Sequence, residues 1–210
     1  MRTNHSIYRF VIKRGLDLFL SFLAIVILSP VFLLTALVVL LDSGRPVLFC
    51  QERIGLKGKV FKMYKFRTMI PNAEHTGSGV YSEEGDTRVT RTGRFLRASS
   101  LDELPQLVNI LRGDMSLIGP RPPLTYHPWP YEQYSEEQLH MFDMRPGITG
   151  WAQINGRKAV EWHERIRLNN WYVDHVSFGL DCRIFFATVF KVLSGADNLN
   201  DGATVKSKKP

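Results

Sequence analysis

The sequence predicts a helix-rich α+β protein: an N-terminal re-entrant membrane helix-break-helix, then a compact cytoplasmic domain with a small β-hairpin and interfacial amphipathic helices. Three observations carry this. Residues 16–41 (LDLFLSFLAIVILSPVFLLTALVVLL) form an apolar block interrupted by Ser29-Pro30. Residues 47–53 (VLFCQER) and 60–69 (VFKMYKFRTM) are strand-like runs on either side of a glycine-containing turn, 55–59. Further on, large apolar side chains recur at helical spacing in 99–112, 160–173 and 180–193.

A chain of 210 residues suits one domain with an appendage. The expected division is 1–42 for a basic N-terminus and hairpin, 43–194 for the folded domain and 195–210 for a flexible tail. Lys and Arg number 27 against 20 Asp and Glu, a net charge of +7. That balance favours an anionic partner (phospholipid headgroups, nucleotide or nucleic acid) without choosing among them. Cys50 and Cys182 are too few and too far apart for a disulfide framework or a zinc knuckle.

As a straight helix the apolar block would reach about 39 Å, more than a bilayer core of about 30 Å. A spanning helix is therefore permitted by length. Two features favour a hairpin that dips in and returns. Pro30 removes a backbone donor and bends a helix. Both flanks are basic, with Arg9, Lys13 and Arg14 before the block and Arg45, Arg53, Lys57 and Lys59 after it. Positive charge prefers the cytoplasmic side. A cleaved signal peptide fits less well, because the block is long and no small-residue cleavage pattern follows.

The hairpin interleaves Lys62, Lys65 and Arg67 with Phe61, Tyr64 and Phe66, a surface for headgroups or nucleotide, or a solvated strand face. Residues 71–86 have no apolar period and read as a loop. In 87–97 (TRVTRTGRFLR), Arg88, Arg91, Arg94 and Arg97 recur every three residues and share one face of a helix. An anion relieves repulsion on such a face; a solvated basic face is the alternative.

Residues 99–112 (SSLDELPQLVNILR) start a helix with an apolar stripe of Leu104, Leu107, Val108 and Leu111, stopped at Gly113. Proline is comfortable only in the first turn, so Asp102 is expected at or near the N-cap and Glu103 just inside. Capping alone explains an aspartate there. The same place keeps a carboxylate ionised, and such a group can serve as nucleophile or metal ligand. Residues 114–124 (DMSLIGPRPPL) read as an extended segment ending in a rigid turn. There Arg121 is held by prolines for bidentate phosphate binding, or sits incidentally in a polyproline linker.

Residues 145–157 (RPGITGWAQINGR) read as a glycine-dense loop that either is structural or supplies a platform for a base or sugar. Its candidate contacts are Arg145, Thr149, Gln153 and Arg157. Helices are expected over 160–173 and 180–193, with aromatic residues suited to a membrane interface or to core packing.

Four ordered stretches, KRGLDLFLSFLAIVILSPVFLL, QERIGLKGKVFKMYKFRTM, RTGRFLRASSLDELPQLVNILRGDMSLIGPRP and RPGITGWAQINGR, closely resemble the bacterial sugar transferases. More narrowly, the chain is similar to the small monotopic polyprenol-phosphate phosphoglycosyl transferases. The resemblance implies transfer of a phospho-sugar from a UDP-sugar to polyprenol (undecaprenyl) phosphate, with release of UMP. It implies Mg²⁺, or Mn²⁺ in its place, and a position on the cytoplasmic face of the bacterial inner membrane with a helix broken at Ser29-Pro30. It places the family's Asp-Glu dyad on Asp102 and Glu103, the aspartate being the nucleophile; both are candidate metal ligands, and Glu103 either helps bind metal or receives a proton. Phosphate contacts fall on Arg97 and Arg121, and Arg94 and Lys65 are added as candidates. One departure shows: Asn169 stands where many members carry Asp.

Expected partners are the donor, the acceptor lipid and phospholipid, with no nucleic acid; a homo-oligomer or downstream glycosyltransferases are further candidates. Two other readings compete with the covalent mechanism. One is direct transfer in a ternary complex with the dyad only binding metal. The other is a non-catalytic, membrane-anchored anion-binding or assembly module.

Overall fold

The computed structural model describes residues 7–76, 85–155 and 161–194. A π-helical turn, Tyr8–Ile12, runs into helix α1, Lys13–Ser43. The expected break at Ser29-Pro30 does not interrupt it: α1 is one helix that passes through Pro30. Proline has no N–H for the carbonyl four residues back, which is that of Val26. The Ser29 hydroxyl donates to that same carbonyl at 2.8 Å, so the acceptor abandoned by Pro30 is satisfied from within the helix.

Helix α1 is inside-out. Lys13, Asp17, Ser21, Thr35 and Val39 face inward, whereas Phe19, Phe22, Ile27, Leu33, Leu34 and Leu41 are exposed. An exposed apolar face of this extent suits lipid, and Tyr8–Ser43 is long and apolar enough to cross a membrane. Lys13 and Asp17 have partners on the folded domain, whereas the Ser21 hydroxyl is buried without one among the described residues. Lys13 Nζ lies 2.9 Å from Asp181 Oδ2, and the Tyr8 and Tyr172 hydroxyls each donate to Asp181 at 2.6 Å. Asp17 accepts from Ser116 Oγ at 2.7 Å and from the Leu117 N–H at 3.0 Å. At the far end Arg67 donates to the Ser43 carbonyl and hydroxyl and to the Gly44 carbonyl.

Strands β1 (Leu48–Ile54) and β2 (Val60–Phe66) pair antiparallel, with Leu48 opposite Phe66 and Ile54 opposite Val60. The second strand ends three residues before the expected Met69, because the Arg67 side chain turns to the end of α1. Helix α2, Arg91–Ala98, starts where Thr90 caps it, its Oγ1 accepting from the Gly93 N–H at 2.9 Å. Arg88 therefore lies outside the helix and off the expected arginine face. It is buried and pairs with Asp86 at 2.6 Å.

A 3-10 turn, Leu101–Glu103, leads into α3, Gln106–Arg112, which stops at Gly113 with φ 92°. The inward stripe is Leu104, Leu107 and Ile110; Val108, expected in it, is exposed. Strand β3, Ser116–Ile118, pairs parallel with β4, Gly147–Thr149. Between them lie the proline-rich turn and a short helix α4, Glu136–Leu139. The expected glycine-dense loop in fact carries β4 and helix α5, Trp151–Asn155. Helices α6, Trp162–His175, and α7, Phe178–Ser194, are the last described elements.

The core is built partly from α1. Ala24, Ile25 and Phe32 pack on Phe61, Met63, Leu107, Ile110 and Met115. Val39 joins Phe66 and Leu96. Tyr8 joins Ile118, Tyr172, Val173 and Ile184. The hairpin, α2 and α3 are thereby pressed together, and the acidic pair lies at their junction.

Candidate active site

Asp102 and Glu103 are placed by a strained turn. Ser100 takes a left-handed conformation, φ 57°, and redirects the chain after α2. Pro105 has no N–H for the Leu101 carbonyl, which accepts instead from Leu104 at 3.3 Å. The segment tightens to 3-10, and Asp102 sits inside that turn rather than at the expected N-cap of α3. Its side chain makes no cap bond, which leaves the carboxylate free for other chemistry.

Lys65 of β2 closes over the pair. Its Nζ is 2.5 Å from Glu103 Oε1 and 3.7 Å from Asp102 Oδ2. Asn109 of α3 sets this contact, filling the free edge of β2: its Oδ1 accepts from the Tyr64 N–H at 3.0 Å and its Nδ2 donates to the Lys62 carbonyl at 2.8 Å. Two adjacent carboxylates that already share one cation are hard oxygen donors, the type that holds Mg²⁺ together with substrate phosphates. Among the described residues no group of three or more His, Cys, Asp or Glu could hold a metal by itself. A bound phosphate would have to complete the coordination.

Asp102 is only 7% exposed. Burial pushes its carboxyl above the usual range; Lys65 and Arg97 pull it back, while the Glu103 charge adds to the rise. The helix terminus was expected to favour the ionised form, so desolvation outweighs it here. For Glu103, burial is outweighed by Lys65, Arg121 and Arg53, and its carboxyl is held low. The two carboxylates thus have different cationic neighbours beyond the lysine they share.

Arg97 reaches the Asp102 side from α2, with its Nε donating to Thr68 Oγ1 at 2.9 Å. That contact requires α2 to lie directly on the Thr68 backbone, and Gly93 allows it, since a Cβ there would collide with the Thr68 carbonyl. Arg121 serves the Glu103 side. Its N–H donates to Asn169 Oδ1 at 3.3 Å, so the residue that departs from the family pattern holds the Arg121 main chain.

Of the other expected contacts, those among the described residues make no hydrogen bond or ion pair with the dyad. Arg94 is exposed on α2 and is not among the charges acting on Asp102. Arg145 Nε donates to the Gly113 carbonyl at 2.9 Å and so closes the end of α3. Thr149 Oγ1 meets Thr188 Oγ1 of α7 at 2.7 Å. Both ends of the Gln153 side-chain amide are buried without a partner among the described residues. Arg157 lies outside the described residues. Sequence reasoning missed Arg53 and Arg165 as neighbours of the site. The only signal for Arg53 was its place at the end of a strand that meets the Pro-Arg-Pro turn.

Comparison with known proteins identifies the family. The family described as bacterial sugar transferase matches residues 8–195. An uncharacterized sugar transferase of Bacillus subtilis (strain 168), EpsL, is 47% identical over 184 residues, covering 87% of this chain and 88% of its own length. A UDP-N-acetylgalactosamine-undecaprenyl-phosphate N-acetylgalactosaminephosphotransferase of Aeromonas hydrophila is 41% identical, covering 90% of this chain but only 45% of its own. A UDP-glucose:undecaprenyl-phosphate glucose-1-phosphate transferase of Caulobacter vibrioides is 43% identical, covering 87% of this chain and 70% of its own. The chain thus spans most of EpsL and less than half of the Aeromonas enzyme. The matched region takes in the dyad, its lysine clamp and both flanking arginines, and the chain belongs to the bacterial sugar transferase family.

Proposed function

We propose that this protein transfers a sugar-1-phosphate from a UDP-sugar to undecaprenyl phosphate through a covalent aspartyl intermediate. The observation that carries this reading is the Asp102–Glu103 pair, closed by Lys65 with Arg97 on one side and Arg121 on the other. An Asp102 oxygen attacks the sugar-bearing phosphorus, and the bond to UMP breaks. Arg97 and Arg121 stabilise charge as it moves to the leaving phosphate. The acceptor's phosphate oxygen then attacks the acyl phosphate, which frees the Asp102 carboxylate and yields the lipid diphosphate sugar. Mg²⁺ held by Asp102 and Glu103 would neutralise charge on the diphosphate. Lys65, between the carboxylates, limits their mutual repulsion and keeps Asp102 more readily ionised. The reaction would begin assembly of a glycoconjugate such as an exopolysaccharide, O-antigen, capsule or glycoprotein glycan.

The re-entrant arrangement on the cytoplasmic face is supported by two features. Both ends of α1 are tied to one folded domain, through Lys13–Asp181 and Ser43–Arg67. Both flanks are basic. Exposed Phe185, Phe186, Phe190 and Leu193 favour an interfacial position for α7.

Incubation with UDP-sugars, including UDP-glucose and UDP-N-acetylgalactosamine, but without acceptor tests the mechanism. Intact mass should rise by one phospho-sugar as UMP is released, and Asp102→Asn should abolish the adduct and lower turnover by about a thousandfold or more. Turnover retained by Asp102→Asn would refute the nucleophile assignment. Turnover without any adduct would favour a ternary complex.

A further inference from the structure

The Glu103 side of the site carries more positive charge than one arginine supplies. Arg53, near the end of β1, donates Nη1 to the Pro122 carbonyl at 3.1 Å and Nη2 to Gln51 Oε1 at 2.6 Å. The next residue, Ile54, donates its N–H to the Pro123 carbonyl at 3.0 Å. The strand end is therefore bonded to the turn that bears Arg121. From the other direction, Asn169 of α6 is fully buried and accepts the Arg121 N–H. Arg165 lies four residues before Asn169, on the same face of the helix. Its guanidinium lies 4.8 Å over the Trp162 ring, and that ring meets His127 edge-on at 5.5 Å.

Three ties thus gather Arg53 and Arg121 beside Glu103, with Arg165 next to Arg121. Among the described residues none of the three forms an ion pair with a carboxylate. The cluster shows mutual repulsion. Burial, then Arg121, brings Arg53 down to about 9 and Arg165 to about 10. His127 is lowered by burial and then by Arg53 and Arg165. A bound anion would relieve all of these at once.

We propose that Arg121 and Arg165 seat the phosphate that departs with the nucleotide, with Arg53 as a positioning residue, while the transferred phosphate lies on the Lys65–Arg97 side. This rests on the function proposed above and adds an orientation. The donor lies across the dyad with its sugar-bearing phosphorus at Asp102 and its nucleotide end toward α6. Arg53 acts through the Pro122 carbonyl because both its Nη groups are already engaged; among the described residues the Arg165 guanidinium meets only a ring face and can donate.

The test uses the whole protein in nanodiscs, with Mg²⁺ present and UMP and uridine as probes. Arg165→Gln keeps the stem near Trp162 and removes the charge. It should weaken UMP binding by about tenfold and leave uridine binding unchanged, and Arg165→Lys should recover part of the loss. UMP should also become a correspondingly weaker product inhibitor. Unchanged UMP affinity in Arg165→Gln, or equal losses for UMP and uridine, would overturn the seat. A wild-type protein that forms the Asp102 adduct would leave the function standing in that case. Failure of the wild type both to bind UMP and to form the adduct would sink the two together.

Discussion

At the scale of single residues, Asp102 is held between opposed influences. Burial raises its carboxyl, and the Lys65 ammonium 3.7 Å away lowers it. A nucleophile must be ionised, so activity should rise with pH through this group's pKa. Removing the ammonium in Lys65→Met leaves burial less opposed and raises that pKa further. The acid limb of the kcat/KM profile should therefore move to higher pH, and a limb that stays in place would show that Lys65 does not tune the aspartate. Ser100 gives a second handle. A β-branched Val at φ 57° should lower stability by about 1–2 kcal/mol, whereas Gly should be tolerated, as thermal unfolding can show. The acidic pair was legible in the sequence because its neighbours, Pro105 and the apolar stripe, fix a local turn. The grouping of Arg53 and Arg165 with Arg121 was not, because they meet only after distant segments have packed; Asn169 stood out as a departure, but its bond to the Arg121 main chain is a tertiary contact.

Among the elements, α1 shows how a proline is accommodated in an apolar helix. Ser29→Ala would leave the Val26 carbonyl without its donor. The expected cost is about 1 kcal/mol, read as a lower melting temperature in nanodiscs and absent in a Ser29→Thr control. If both ends of α1 lie on one side of the bilayer, cysteines placed at Ile7 and Lys57 should label from the same face. Labelling from opposite faces would establish a spanning helix. The hairpin and the long helices were readable to within a few residues, since periodicity over many positions averages out local exceptions. The start of α2 was misplaced because spacing alone put Arg88 on the helix, while Thr90 supplies the cap. Strand β4 escaped notice because three residues, one of them glycine, carry no period.

For the molecule as a whole, two polar assemblies tie segments far apart in sequence. Asp181 gathers Lys13, Tyr8 and Tyr172 in a buried cluster. Asp181→Asn would leave the buried Lys13 charge only the more distant Asp17 carboxylate, 4.0 Å away, at a cost of up to about 3 kcal/mol, the low end for breaking a buried pair. Differential hydrogen exchange should then show α1 and α7 loosening together. His140 bridges Asp143 and Asp174 at 2.8 Å on each side. Burial would lower its pKa, but the hydrogen bonds to Asp174 and Asp143 outweigh this and raise it. The folded state therefore holds its proton more tightly than the unfolded chain, whose value is near 6.5. The bridge's stabilisation is complete below that pH and fades as pH rises through the folded value. A pH series of unfolding should show this decline in the wild type and lose it in His140→Gln. The basic balance of the sequence foretold anionic company, but the gathering of that charge at one end of the dyad is a tertiary result.

The inside-out character of α1 has a practical corollary for anyone seeking a water-soluble form. Cutting the chain after Ser43 would strip the cover from Phe61, Met63, Leu107 and Ile110, and the remnant should clump rather than dissolve. Repainting the outer surface, by exchanging Phe19, Phe22, Leu34 and Leu41 for hydrophilic side chains, keeps the inner one intact and is the more promising route.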